Sequence, residues 1–478
     1  MKAISFVPKK KRYKIIDILT YKNLVWQILL DYMLTNLSRA IYLKQLLVSV
    51  MNCGHMKNGY SVHKCETCGL EKKIPFSCGK RFCNKCGYRR TENWIGRAKS
   101  KVLQVGHRHI IATMPEVLWA IFCYERDLLK LIPQIGYKVL QLWGQEKGIV
   151  KQGIISIIHT FGYDIKWNPH GHFIVTEGGL TANNSWKSWP WNKKKHQQPY
   201  ISFAFLQTMW RELFVKALFL NLDKLWDQNS ILRNYIYQTV LKIKQNQYEQ
   251  ERHKKKRERQ RITFRNKPSR RDLMDLKQYV SHQQWYVNAE SRLSNGEHTI
   301  GYIGRYSKRP SMAECRITSF DGEIVTFWYD EKEKLDRNSV KKRRKVMSLP
   351  IKVFIKRILR HIPDKGFRMI EWHGLYASSI WSKTKTLLMK LGKYVIKKVI
   401  RLTYRESIKK YFGNDPLQCK KCGSEMLLYT INYYKNGVLR IKRYLGPNGY
   451  ISKMTNRIYS YDLNKYFKIE PGGQIALI

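Results

Sequence analysis

The chain has 478 residues, 43% hydrophobic and 13% aromatic, enough for roughly two to four domains with at least one substantial core. Lys and Arg number 89 against 35 Asp and Glu, and the formal charge of +54 repels itself unless a polyanion neutralises it; nucleic acid fits best. No stretch approaches the roughly 18 consecutive apolar residues of a membrane span, and residues 1–14 lead into neither an apolar signal core nor a cleavage site, so the expected setting is the cytoplasm, with no membrane partner.

Residues 13–50 carry Leu, Ile, Val and Trp at mixed three and four spacing without Pro or Gly, which predicts one or two helices. Six of the ten cysteines then fall between positions 53 and 86, and in a reducing compartment such a cluster means metal rather than disulfide. The knuckles Cys65-x2-Cys68 and Cys83-x2-Cys86 have the spacing to close one tetrahedral Zn2+, while Cys53, His55, His63 and Cys78 lie near enough in sequence to supply a second site. Four protein ligands leave no position for water, so this zinc is expected to be structural. Lys80, Arg81, Arg89 and Arg90 surround the second knuckle and suit phosphate contact. Cys123 and Cys315 stand alone in apolar surroundings and are expected to pack.

From residue 108 the pattern changes to short β-branched runs at 110–113, 154–160 and 173–176, predicting strands of a mixed sheet. Residues 186–277 interrupt it with an aromatic helical stretch, 203–226, and a run at 251–271 in which about half the residues are basic, fitting a solvated loop or a DNA clamp alike. Strand-like sequence resumes at 285–288 and 324–329 with a helix expected over 299–306 between them, and a basic run at 341–345 leads into helical sequence at 353–362. Cys419-x2-Cys422 reads as half of a shared metal site or as a turn.

In Asn168-Pro169-His170-Gly171-His172-Phe173 two histidines flank one residue where a β-branched run begins, and strand alternation puts both imidazoles on one face, able to hold a divalent ion. Thirteen histidines make the spacing alone unremarkable, and His107-x-His109 is a second case. Tyr302 and Tyr306, at i and i+4, share a helix face, whereas Tyr429 and Tyr433 fall in a strand-like run.

Several ordered blocks resemble a family, the two-tyrosine rolling-circle insertion-sequence transposases of the HUH type (His, bulky apolar residue, His) with an N-terminal zinc-binding domain. They are Cys65-Glu66-Thr67-Cys68 through Cys78 to Cys83-Asn84-Lys85-Cys86, then His109 to Pro115, His159-Thr160-Phe161-Gly162, Asn168 to Gly179, Tyr302-Ile303-Gly304-Arg305-Tyr306, and Gly366-Phe367-Arg368 with His373-Gly374-Leu375. The resemblance implies an α+β fold, an HUH-type antiparallel-sheet nuclease core with an N-terminal zinc-binding module and helical basic DNA-binding segments. The expected divisions are a helical segment 1–52, the zinc domain 53–100, core halves 101–180 and 281–335 around an insertion 181–280, a basic helical segment 336–415 and a tail 416–478.

The resemblance also implies that His170 and His172 bind Mg2+ or Mn2+, with His159 as third ligand or polar neighbour and Asp164 and Glu177 behind it. Tyr302 and Tyr306 would attack single-stranded DNA, the expected partner, leaving a 5′-phosphotyrosine and a free 3′-OH, with Arg305 and Arg309 on adjoining phosphates. The chain departs from the family at Gly171, where a bulky apolar residue is usual; the ligands survive, and the expected loss is packing worth roughly 0.5–1 kcal/mol. A replication initiator or relaxase shares this chemistry, but no phosphate-loop motif of a helicase is found. A zinc-dependent DNA-binding protein without catalysis, or one that binds RNA, also fits the charge.

Overall fold

The computed structural model describes residues 13–189, 202–254, 267–289, 300–301, 304, 310–334, 340–396, 402–435, 438–442, 467–469 and 475–477. In chain order its strands include β1 (Tyr60–Cys65), β2 (Glu71–Pro75), β3 (His107–Ala112), β4 (Lys151–Phe161), β5 (Trp167–Leu180), β6 (Trp186–Ser188), β7 (Val287–Ala289), β8 (Ile317–Phe320), β9 (Ile324–Lys334), β10 (Val340–Pro350), β11 (Ile370–Gly374), β12 (Met426–Lys435) and β13 (Val438–Lys442). The chain divides into two compact units, Lys101–Ile303 with Gly366–Ile396, and Met1–Ser100 with Gly304–Lys365 and Lys397–Ile478. No helix among the described residues is long and apolar enough to cross a membrane.

The first of these units is built on an antiparallel sheet ordered β11-β4-β5-β3-β7, with β6 paired to β5. Its middle strands are β-branched and buried on both faces, as the run Ile154 to Thr160 requires. One face carries Ile110, Ile154, Ile158, Phe173 and Val175, which form a core with Ile132, Trp210 and Phe214 from the helices Leu131–Glu146 and Phe203–Leu225. Ser202 starts the latter helix by accepting from the Phe205 N–H, and the Ser269/Asp272 capping box starts Arg270–His282. On the opposite face, register sets His159 across from His170 and Ile157 across from His172.

Gly171 does not leave the expected packing defect. A Cβ there would lie 2.6 Å from the Phe173 ring and 2.8 Å from Ile132, and a Cβ on Gly136 of the facing helix would lie 2.0 Å from the same ring. Two residues along the strand on the same face, Phe173 is 1% exposed and fills the volume above both glycines. Burial of such a ring contributes about 1.5–3 kcal/mol, more than a strand glycine costs.

In the other unit residues 13–51 form three helices rather than one or two, because Lys22 and Asn23 take left-handed φ of 44° and 60° and Asn36 caps a new helix by accepting from the Arg39 N–H. Buried Arg39 donates to the carbonyls of Leu359 and Ile362 and pairs with Asp364, fixing the end of the helix Ile351–Arg360. A second sheet runs β10-β9-β8 and a third runs β13-β12-β1-β2. The basic run 341–345 lies in β10 rather than in a helical segment, since β9 sets Glu331 opposite Arg343 and Asp330 opposite Arg344. Arg344 bonds Asp330 at 3.3 Å, and Lys345 pairs with Glu331.

Candidate functional site

Three clusters of metal-ligating side chains stand out among the described residues: His159 with His170 and His172, Cys53 with Cys78, Cys83 and Cys86, and Cys65 with Cys68, Cys419 and Cys422, the ligand atoms of each within 4.8 Å of one another.

The histidine cluster rests on the central strands β4 and β5, and all three residues are buried. The His170 Nδ1–H donates to the Asn168 carbonyl at 2.8 Å, which leaves the Nε2 lone pair of that ring for an electrophile. Burial pushes its pKa below the usual histidine range, favouring the neutral, ligating form. His172 Nδ1 and His109 Nε2 share a hydrogen bond of 2.7 Å, and their rings stack 5.0 Å apart. With a proton on Nδ1, His172 keeps the Nε2 lone pair for an electrophile, and His109 from β3 orients its ring, the kind of second partner that metal-binding imidazoles usually have.

His109 is thus a positioning residue that sequence spacing left unassigned. The signal lay in its own His-x-His pair, whose other member serves the fold: His107 accepts from the Tyr376 hydroxyl at 2.7 Å and donates to the Val105 carbonyl at 2.8 Å. Asp164 and Glu177 do not join the histidines. Asp164 accepts from the Lys166 N–H, and Glu177 accepts from Arg108 at 2.6 Å in a buried pair, on the strand face opposite the imidazoles by alternation. Tyr302, Tyr306, Arg305 and Arg309 lie outside the described residues; Ile300 and Gly301 just before them are helical.

The cysteines divide differently from the spacing-based expectation of one ion between the two knuckles, which fall into separate clusters. In the first, Cys53 follows the helix Leu37–Met51, and Cys83 and Cys86 sit at the start of Asn84–Lys99. Sulfur separations are 3.6 Å for Cys53 with Cys86 and with Cys83, and 3.8 Å for Cys78 with Cys86. A zinc tetrahedron with Zn–S near 2.3 Å has edges of about 3.8 Å, so the donor set fits structural Zn2+. Contact first with Cys78 draws the Cys53 thiol down to about 7, and Cys86 is drawn down chiefly by Cys53, as expected where thiols crowd into sharing protons. His55 and His63 stand outside the cluster; burial pushes His63 down to about 4, and its Nε2 meets Ser61 Oγ at 3.0 Å. Cys123 packs against the core as expected, whereas Cys315 is exposed.

Of the basic residues near the second knuckle, Arg89 lies 5.6 Å over the Tyr404 ring and Arg90 donates to the Gly79 carbonyl. Arg81 is half-buried, its guanidinium pushed down to about 10 by burial, and the Lys80 N–H points to Cys78 Sγ at 3.5 Å.

Two family models match the chain: residues 30–114 match a "Transposase zinc-binding domain" and residues 153–385 a "Putative transposase". The first contains the Cys53 cluster, and the second contains all three clustered histidines. The "Transposase for insertion sequence element IS801" of Pseudomonas savastanoi pv. phaseolicola is 24% identical over 394 residues, 81% of this chain and 83% of that protein. The "Putative transposase y4qJ" of Sinorhizobium fredii is 22% identical over 387 residues, 79% of this chain and 86% of its own length. No solved structure matches. The chain thus carries a transposase zinc-binding domain and a putative transposase domain in succession, and it is similar over most of its length to transposases, one of them that of an insertion sequence.

Proposed function

We propose that this transposase is a rolling-circle enzyme of the HUH type, cutting and rejoining single-stranded DNA through a 5′-phosphotyrosine. The observation that carries the reading is the convergence of three buried imidazoles on adjacent central strands, two of them with hydrogen bonds that set Nε2 as the ligand atom. An all-nitrogen donor set suits a first-row transition ion better than Mg2+, which prefers oxygen and dehydrates reluctantly, so of the two ions considered Mn2+ is the better fit. When bound, the ion polarises the scissile phosphate and stabilises its developing charge.

The chain's own groups do the rest. The oxygen of Tyr302 or Tyr306 attacks phosphorus, the bond from phosphorus to the 3′ oxygen breaks, the departing oxygen takes a proton, and the 5′ phosphate stays on the tyrosine. A free tyrosine has a pKa near 10, so its proton must leave to a base or to solvent as the bond forms. Two tyrosines allow two strands to be held and exchanged in turn, with Arg305 and Arg309 on the neighbouring phosphates. The net charge of +54 and the many Trp and Tyr residues support single-strand binding by phosphate neutralisation and base stacking.

The test is incubation of the full chain with Mn2+ and labelled single-stranded DNA bearing the ends of its element, followed by mass spectrometry of the linked peptide. An adduct on Tyr302 or Tyr306 that is lost in His170→Ala supports the enzyme. Tight binding with no adduct under any divalent ion refutes it in favour of a non-catalytic DNA-binding protein.

A further inference from the structure

Cys65 and Cys68 stand outside the Cys53 cluster, and the fold sets them against Cys419 and Cys422. Cys65 Sγ lies 3.4 Å from Cys422 Sγ, and Cys68 Sγ lies 3.5 Å from both Cys419 and Cys422. Cys65 and Cys419 are buried at 0% and 2% exposure, Cys68 is half-buried and Cys422 is exposed, so the group lies at the protein surface with one side closed by the fold.

The two halves are built alike. Each is a Cys-x2-Cys-Gly turn in which the glycine N–H donates to the first cysteine's carbonyl, Gly69 to Cys65 at 2.9 Å and Gly423 to Cys419 at 3.0 Å. In each, the first cysteine's N–H donates across the turn at 2.9 Å, to Leu70 and to Ser424. Gly69 and Gly423 hold φ of 72° and 77°, a left-handed conformation that favours glycine. Strand β12 leaves the second turn antiparallel to β1, with Met426 opposite Cys65, and Lys72 Nζ donates to the Pro416 carbonyl at 2.7 Å. Two matched knuckles presenting four sulfurs to one point form a metal-binding ribbon assembled from sequence 351 residues apart.

We propose that Cys65, Cys68, Cys419 and Cys422 hold a second structural Zn2+, distinct from that of the Cys53 cluster, which fastens the segment carrying β12 to the β1–β2 hairpin. Disulfides do not account for the group: a disulfide needs sulfurs about 2.05 Å apart in exclusive pairs, whereas Cys68 and Cys422 each have two sulfur neighbours at nearly equal distance. Four thiolates on a d10 ion complete its shell, so the site holds structure and binds no substrate; the four thiol protons pass to solvent as the ion enters.

The test is zinc content per chain of the full-length protein, by mass spectrometry of the metal, for the wild type, Cys65→Ser/Cys68→Ser, Cys419→Ser/Cys422→Ser and the four-fold variant. The expected result is two ions in the wild type and one in each variant, the four-fold variant included, because both pairs serve the same ion. Limited proteolysis should then release the segment beyond residue 402 from every variant but not from the wild type. One ion in the wild type overturns the proposal, and so do additive losses in the variants, or disulfides found by alkylation of the unreduced chain. Should the variants fail to fold, cobalt titration of metal-free wild-type protein decides: thiolate-to-cobalt absorption that grows to two equivalents supports the second site, and saturation at one refutes it.

Discussion

The histidine and cysteine centres reach similar ligand spacing by opposite routes. The imidazoles stand on β4 and β5, strands held by their own ladder and by a packed core, with hydrogen bonds from His170 to Asn168 and between His172 and His109 that orient two of the rings. The sulfurs stand on turns and a helix start, where bringing four thiols together has little driving force until a cation replaces their protons. The histidine centre is therefore built on a scaffold with its own ladder and core, while a metal held by the cysteines would itself be part of the scaffold.

The sharpest way to break this contrast is to remove metal from both. Chelation strong enough to strip thiolate-bound zinc should cost the cysteine clusters an apparent stabilisation on the order of 10–16 kcal/mol. By hydrogen exchange, amides of β1 and of the helix Asn84–Lys99 should lose protection while those of β4 and β5 keep it. Equal loss in both would mean that the histidine strands also depend on an ion.

Acid should act on the histidine-bearing unit in a defined window. Burial pushes His107 down to about 4 from an ordinary 6.5, so between these values the unfolded chain binds a proton that the folded chain refuses. Its contribution is intact above pH 6.5 and falls by roughly 3 kcal/mol as pH drops to 4. His107→Gln keeps an acceptor for the Tyr376 hydroxyl and should lower the pH dependence of the unfolding free energy by nearly one proton. His373, also pushed down to about 4 by burial, should retain its own share.

Gly171→Val tests whether the glycine is a defect or a fit. The structure predicts destabilisation of about 1–3 kcal/mol by overpacking against Phe173 and Ile132, partly relieved by adding Phe173→Leu, in denaturant titrations. A stabilised single variant would restore the idea of a missing side chain. His109→Leu, which leaves the His172 Nδ1–H without its acceptor, should weaken Mn2+ binding about 10- to 100-fold by titration calorimetry with little change in fold.

Sequence carried the strands that matter most, because β4 and β5 contain the β-branched runs 154–160 and 173–176, and alternation along β5 puts His170 and His172 on one face. What escaped it depended on partners far along the chain. The pairing of Cys65 and Cys68 with Cys419 and Cys422 cannot be read from spacing, since the nearer pair Cys83 and Cys86 has equally good spacing. The strand character of 341–345 depends on the acidic residues of β9, and the fit at Gly171 on a phenylalanine two positions away and a second glycine on a facing helix. The tyrosines remain a sequence reading, outside the described residues.

The distance between the halves of each cysteine cluster also sets an order in time. Cys53 and Cys86 are 33 residues apart, whereas Cys65 and Cys422 are 357 apart. At about 5–20 residues per second of synthesis the first cluster is complete within seconds of its start, and the second waits on the order of 20–70 seconds. Through that interval Cys65 and Cys68 are an open pair of thiols on a growing chain, vulnerable to oxidation before the partners that would close over them exist.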